Sequence, residues 1–364
     1  MSLEIYKKRK GFPRLLEAIN NGKATIGFIG GSITDQSSAS RWSENVCSWF
    51  VEKFPNVRFY IENAAIGGTG SDLAVFRTER DLLNRNCDIV FVEYAVNDFS
   101  EKTEKRMRSR EGLIRKLLKE DRDVVITYTY IQDMYKDMIK GRVPDSIAEF
   151  EEIAAHYDIS SVWMGLYALE ELKKGRMRWE EWLPDGLHPD FRGSLSYAQS
   201  VIGLLEEYLI TKPNSSALLA GDKLPAPINK NNWEHATILP FEQVNVKGPW
   251  MVRRWSKMAW TDQVLSTSAV GAELSFDFEG TGLALAFDFG KTASEFRYSL
   301  DGGEWIETNR EREWWMPESG QYLINTLAED LNYGKHHIDI EVVHGDRAEC
   351  VGTNFRLAFI GIIK

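Results

Sequence analysis

The sequence predicts an α/β fold followed by an all-β one. Three observations carry that expectation. Short apolar or β-branched runs alternate with helical periodicity over residues 1–212; the pattern then dissolves in a stretch rich in Pro, Asn, Gly, Ser and Lys; short alternating strands fill the remainder. A chain of 364 residues has the length of two domains. They are expected at 1–212 and 233–364, joined by a linker at 213–232.

The strands of the first part are expected at 24–30, 57–63, 88–94 and 123–130, with a weaker one at 159–163. The middle three are continuous apolar or β-branched runs, as strands covered on both faces are. Between them Trp42, Val46, Trp49, Phe50 and Phe54 share one helical face, as do Ile147, Phe150, Ala154 and Tyr157, and then Leu195, Ala198, Ile202, Leu205 and Leu209. A parallel sheet wrapped by helices follows. In the second part strands are expected at 272–278, 283–289, 295–300, 336–343 and 354–362. Asp301-Gly302-Gly303 between two of these runs predicts a hairpin, because glycine supplies the positive φ of a tight turn. The apolar run from Leu357 to Ile362 either packs on its own partner sheet or meets a second copy, which leaves a homo-oligomer open.

Composition narrows the function classes. Hydrophobic residues make up 43% and charged residues 27%, the balance of a globular protein. Lys and Arg number 44 against 54 Asp and Glu, a formal net charge of −10, and the basic residues are scattered. Nucleic acid is therefore not an expected partner. No apolar run is long enough to span a membrane, and the basic N-terminal segment has no apolar stretch behind it, so a cytoplasmic protein without membrane contact is expected. Cys47, Cys87 and Cys350 lack CxxC spacing and read as buried thiols. No metal or cofactor is expected.

Open parallel sheets bind ligands at the carboxyl ends of their strands, so the loops there hold the chemistry. Gly30-Gly31-Ser32-Ile33-Thr34 turns sharply off the first strand and presents a serine, which serves either as a helix cap or as a nucleophile. The loop from Asn63 to Asp72 exposes backbone N–H groups through Gly67, Gly68 and Gly70, an arrangement suited to an anion or an oxyanion, yet it lacks both GxGxxG and the Walker pattern. Val96-Asn97-Asp98 offers an uncharged amide donor at the end of an apolar strand. Pro184-Asp185-Gly186-Leu187-His188-Pro189 supplies an imidazole with a carboxylate three residues away, the base and orienter that a serine hydroxyl needs. Four separate loops thus offer the groups of one acyl-transfer site.

These four blocks, in this order, resemble the SGNH (GDSL-like) hydrolases. The resemblance implies a flavodoxin-like three-layer α/β/α sandwich, here with a jelly-roll-like β-sandwich attached, and no cofactor. It implies Ser32 as nucleophile, His188 as general base and Asp185 as its orienter. The oxyanion donors would be the Ser32 N–H, the Gly68 N–H and the Asn97 amide, with Gly67 one register step from Gly68. Gly31 stands where the family usually has Asp, which removes a carboxylate beside the nucleophile; Ala95 stands where a glycine often precedes the Asn-Asp pair.

Members of the family with an attached β-sandwich look like esterases that remove acetyl groups from oligosaccharides, so a small acylated carbohydrate is the expected partner. Trp305, Trp314 and Trp315 would suit stacking on a sugar ring, or else fill an interface. Trp42, Tyr94, Asp133, Trp182 and Phe191 are expected at the cleft mouth by their nearness to the strand ends, with Gly67 beside them. The alternatives are a lipase or thioesterase with the same triad, and a glycan-binding protein without catalysis.

Overall fold

The computed structural model describes residues 3–35, 41–211 and 224–364, and these form two compact units, Met1–Glu234 and His235–Lys364. The first is built on strands β1 (Tyr6–Lys7), β2 (Lys23–Gly30), β3 (Arg58–Asn63), β4 (Ile89–Glu93), β5 (Asp123–Thr127) and β6 (Ser161–Val162). Their order across the sheet is β1-β6-β5-β4-β2-β3; β2 to β6 run parallel, and β1 closes the edge antiparallel to β6. All residues of β4 and β5 are buried, which explains the apolar runs Ile89 to Val92 and Val124 to Ile126. Phe28 of β2 stacks on Phe91 of β4 with ring centres 5.1 Å apart and fixes the register at the middle of the sheet.

The helices are α1 (Pro13–Asn20), α2 (Trp42–Lys53), α3 (Ser71–Thr78), α4 (Thr103–Lys119), α5 (Tyr135–Met138), α6 (Asp145–His156), α7 (Met164–Lys173), α8 (Trp179–Trp182) and α9 (Phe191–Glu206). α2, α7 and α9 pack together as one layer, and α3, α4 and α6 as another, which makes the three-layer sandwich. β2 lies between β3 and β4, so the chain leaves it in opposite directions, and a crevice opens at the ends of β2 and β4.

The second unit holds β7 (Thr237–Leu239), β8 (Asn245–Lys247), β9 (Met251–Arg254), β10 (Gln263–Thr267), β11 (Glu273–Gly280), β12 (Gly282–Phe289), β13 (Glu295–Leu300), β14 (Ile306–Glu307), β15 (Gln321–Ala328), β16 (Gly334–Val343) and β17 (Phe355–Ile363). One antiparallel sheet runs β15-β12-β17-β10-β9 with β7 also on β17; the other runs β14-β13-β16-β11-β8. Leu274, Phe276 and Phe278 of β11 face a core shared with Phe287, Phe296 and Ile340, while Glu273, Ser275 and Asp277 alternate to the other side. The expected hairpin joins β13 to β14, with Asp301 at φ 53° and Gly302 at φ 70°.

Three regions refine the expectation. The run from Leu357 to Ile362 lies in β17, paired with β10, β12 and β7, and Leu357, Ile360 and Ile362 belong to the core of the unit. Of the two expected alternatives, packing on its own partner sheet is the one these side chains take. Residues 213–223 of the expected linker lie outside the described residues, but 224–234 pack along α4: the Ile228 and Asn229 N–H groups donate to Glu111 at 2.6 and 2.8 Å, and Trp233 is fully buried. Trp233 thus belongs with the first unit. β15 escaped notice because it is an edge strand whose residues are nearly all half-buried, so its sequence carries no clean alternation.

Cys47, Cys87 and Cys350 are free and buried, and burial pushes the Cys47 and Cys87 thiols up to about 12. No helix among the described residues is long and apolar enough to cross a membrane.

Candidate active site

The four loops named from the sequence converge at the crevice. The Ser32 hydroxyl lies 2.7 Å from His188 Nε2, and His188 Nδ1 lies 2.7 Å from Asp185 Oδ2. A carboxylate only accepts, so Nδ1 carries the ring proton and Nε2 is left with its lone pair toward Ser32. Asp185 also accepts the N–H groups of Leu187 at 2.9 Å and His188 at 2.7 Å, which ties the turn on itself. Burial works to raise the Asp185 carboxyl, but these hydrogen bonds outweigh it and hold the group below its ordinary value. Gln132 braces the turn from outside, its N–H donating to Gly186 O at 3.0 Å. The following helix, α9, starts immediately after, with Asp190 accepting the Phe191 N–H at 2.8 Å.

Both glycines before Ser32 are explained by what approaches them. A Cβ built on Gly31 would stand 1.9 Å from Asn97 Oδ1, so the Asn97 side chain occupies the space where a larger residue 31 would be. A Cβ on Gly30 would stand 2.9 Å from Glu93 O and 3.1 Å from Glu93 Oε2. Gly67 lies on the other flank: its notional Cβ would be 3.4 Å from Ser32 Cβ, while Gly68 follows with φ at 70°. The Asn97 amide thus lies against Gly31, next to Ser32 in the chain, and Gly67 lies against Ser32 itself.

The loops are held from behind by groups to which sequence reading assigns no role. Thr34 and Asp35 N–H groups both donate to Gly31 O, at 3.0 and 3.1 Å, which closes the turn around Ser32. Asn63 donates through Nδ2 to Thr34 O at 2.8 Å and accepts from the Ala65 N–H. Asp98 accepts the Ser71 N–H at 2.9 Å, its hydroxyl at 2.7 Å, and Arg110 Nε at 2.8 Å, so the loop bearing Asn97 is fastened to α3 and α4. Glu93, fully buried, accepts from Thr34 and Thr129. Its signal in the sequence was a carboxylate closing the otherwise apolar Ile89-Val90-Phe91-Val92.

Three of the residues expected at the cleft mouth are not there. Trp42, Tyr94 and Trp182 have no exposed surface. Trp42 donates through Nε1 to Thr34 Oγ1 at 3.1 Å and meets Phe28 and Phe91 edge-on; Trp182 packs on Tyr130 with ring centres 4.6 Å apart and donates to Tyr197. They support the strand ends from beneath, as large aromatics in α/β cores do. Asp133 and Phe191 are exposed, the first in the short turn Gln132–Met134 beside the brace to Gly186 and the second at the start of α9.

Comparison of the whole chain with solved structures gives a two-domain esterase active on acetylated mannans, crystallised with mannopentaose. The TM-score is 0.81 with 24% identical residues, over 98% of this chain and 96% of that one. This chain has that two-domain fold. Structures matching only half of it include an acetylxylan esterase from Geobacillus stearothermophilus (17% identity, TM-score 0.44, 50% of this chain and 94% of that one) and a GDSL-like lipase from Parabacteroides merdae (18%, 0.43, 51% and 95%). Searches of protein-family profiles and of curated sequences find no match. The two-domain esterase fold therefore rests on structure, and the chemistry on the groups around Ser32.

Proposed function

We propose that this chain is a serine esterase that removes short acyl groups, acetyl above all, from carbohydrates through an acyl-enzyme. The observation that carries the proposal is the unbroken relay Ser32–His188–Asp185, each link 2.7 Å. Ser32 Oγ attacks the ester carbonyl as its proton passes to His188 Nε2. Negative charge gathers on the carbonyl oxygen, where the Ser32 N–H, the Gly68 N–H and the Asn97 amide are the donors we assign. Collapse breaks the bond to the sugar oxygen, which takes the proton from His188. Water, activated by the same imidazole, then adds to the acyl carbon and releases the carboxylic acid while Ser32 recovers its proton. Asp185, held ionised by three hydrogen bonds, keeps the imidazole in the tautomer this needs and steadies its protonated form.

The substrate class draws support from two sides. The structure sharing the fold is an esterase active on acetylated mannans. In the second unit Trp314 is 85% exposed, and Trp315 and Trp305 are about half exposed, as side chains offered to a sugar ring are. We assign the first unit to hydrolysis and the second to holding or shaping the carbohydrate.

Ser32→Ala should abolish turnover of p-nitrophenyl acetate and labelling by a fluorophosphonate. Retention of wild-type rates in that variant would overturn the nucleophile assignment. Faster hydrolysis of octanoyl than acetyl esters would favour a lipase or thioesterase, and absence of both turnover and labelling in the wild type would favour a glycan-binding protein. Mass spectrometry of acetylated manno- and xylo-oligosaccharides treated with the protein identifies the glycan.

A further inference from the structure

Glu93 is a fully buried carboxyl group whose side-chain hydrogen-bond partners among the described residues are the hydroxyls of Thr34 and Thr129. It closes β4 directly under the nucleophile loop, with Gly30 opposite it in the sheet register. Thr34 Oγ1 donates to Oε2 at 3.0 Å and Thr129 Oγ1 donates to Oε1 at 2.6 Å, and the Gly31 backbone N–H lies near enough to favour the ionised form. Thr34 Oγ1 already accepts Trp42 Nε1, so its own proton is directed at the carboxylate.

A buried carboxyl group of this kind is costly where an apolar residue would continue the Ile-Val-Phe-Val strand at no such cost. What the carboxylate supplies is position. One of its two hydroxyl donors, Thr34, follows Ser32 in the nucleophile loop, and the other, Thr129, sits just beyond β5, so one rigid group joins the nucleophile loop to the neighbouring strand end. Moving Ser32 toward or away from His188 pulls on the Thr34 hydroxyl and its bond to Glu93. We infer that Glu93 is the positioning residue of the nucleophile loop, taking from below the place of the carboxylate that the loop lacks at residue 31. Room for it depends on Gly30, and the side of the loop it leaves vacant at Gly31 is taken by the Asn97 amide. The two glycines thus admit two functional side chains to opposite flanks of one serine.

The inference rests on the esterase reading of the site, and its test separates the two. Glu93→Leu removes both acceptor oxygens, Glu93→Gln keeps one, and Thr34→Val deletes one donor while preserving its shape. With p-nitrophenyl acetate, kcat should fall on the order of 10²-fold in Glu93→Leu. It should fall less in Glu93→Gln and Thr34→Val, with KM within about 2-fold throughout. Exchange of the Gly31 and Ser32 amide protons, followed by NMR or mass spectrometry, should quicken in the same order. If Glu93→Leu does not fold, the other two variants carry the test. Lowered thermal stability with unchanged kcat of the folded protein and unchanged amide exchange would overturn the inference. A wild type that turns over no ester would instead overturn the esterase reading, while amide exchange would still report on the clamp.

Discussion

Two buried carboxylates, one in each unit, are handled in opposite ways. Glu93 under Ser32 is surrounded by neutral donors. Glu295 at the start of β13 is equally inaccessible, but Arg310 Nε meets its Oε2 at 2.8 Å and Arg312 Nη1 its Oε1 at 2.9 Å, with Thr308 Oγ1 at 2.6 Å. The Arg310 guanidinium also lies over the rings of Phe287, Phe289 and Phe296. Burial drives both carboxyls up; at Glu93 it wins over the hydrogen bonds, whereas at Glu295 the Arg310 charge, Thr308 and Arg312 bring the group below its ordinary value. A carboxylate neutralised by two cations serves cohesion, here between the 308–312 segment and the sandwich. One left without a counter-charge is retained for where its lone pairs point.

The largest effect expected from this contrast is on stability in the second unit. Glu295→Ala leaves two arginines buried without their anion, and loss of one partner of a buried pair costs about 3–5 kcal/mol. Denaturant unfolding followed through the second unit should register that loss, with turnover of p-nitrophenyl acetate by folded protein unchanged. A cost below about 1 kcal/mol, the range of an exposed ion pair, would remove the distinction between the two clusters.

Next in size is the Asn97 amide on the opposite flank of Ser32. Asn97→Ala should lower kcat by about 10²–10³-fold if the amide faces the developing oxyanion. Gly31→Ala tests the same group from the other side, since its Cβ has to displace Asn97 Oδ1 from 1.9 Å. The two losses should therefore overlap: adding Gly31→Ala to Asn97→Ala should cost little more than Asn97→Ala alone. Full additivity of the two rate losses would show that Gly31 acts independently of the amide.

What was legible in the sequence follows the range of the interactions concerned. Ser32, Asn97, Asp185 and His188 announce themselves because each sits in a short loop whose residue types are needed for chemistry, and Asp185 and His188 lie close enough in the chain to be paired on sight. The buried parallel strands are equally plain, since burial on both faces leaves the middles of β4 and β5, Ile89 to Val92 and Val124 to Ile126, wholly apolar. The role of Glu93 was not legible: its donors Thr34 and Thr129 come from 59 and 36 residues away, and only the sheet order β5-β4-β2 brings them together. Trp42, Tyr94 and Trp182 misled for the same reason. Nearness to a strand end in sequence does not say whether an aromatic ring points over the crevice or under it, and packing against Phe28, Phe91 and Tyr130 decided the matter.

The smallest expected effect is a pair of opposite slopes in stability against pH. Glu295 has a folded-state pKa below the ordinary 4.5, so its contribution is complete above that value and is lost as pH falls through the depressed one. Glu93 has a folded-state pKa above 4.5, so folding takes up a proton in the window between the two values, and stability declines as pH rises through it. Asp98 adds to the rise at Glu93, and Tyr94 and Tyr197 are the other titratable groups that sense it; both tyrosines are raised and stay neutral throughout this window. Each unit of displacement is worth about 1.4 kcal/mol. Unfolding of the wild type, Glu93→Gln and Glu295→Gln from pH 3.5 to 8 should thus give difference curves of opposite sense. The advantage of the wild type over Glu295→Gln should shrink toward acid, and its advantage over Glu93→Gln should shrink on the alkaline side of 4.5. Slopes of the same sign would mean that the Glu93 carboxyl is stabilised as an anion after all, and the two buried acids would then differ in the identity of their donors but not in the balance of burial against hydrogen bonding.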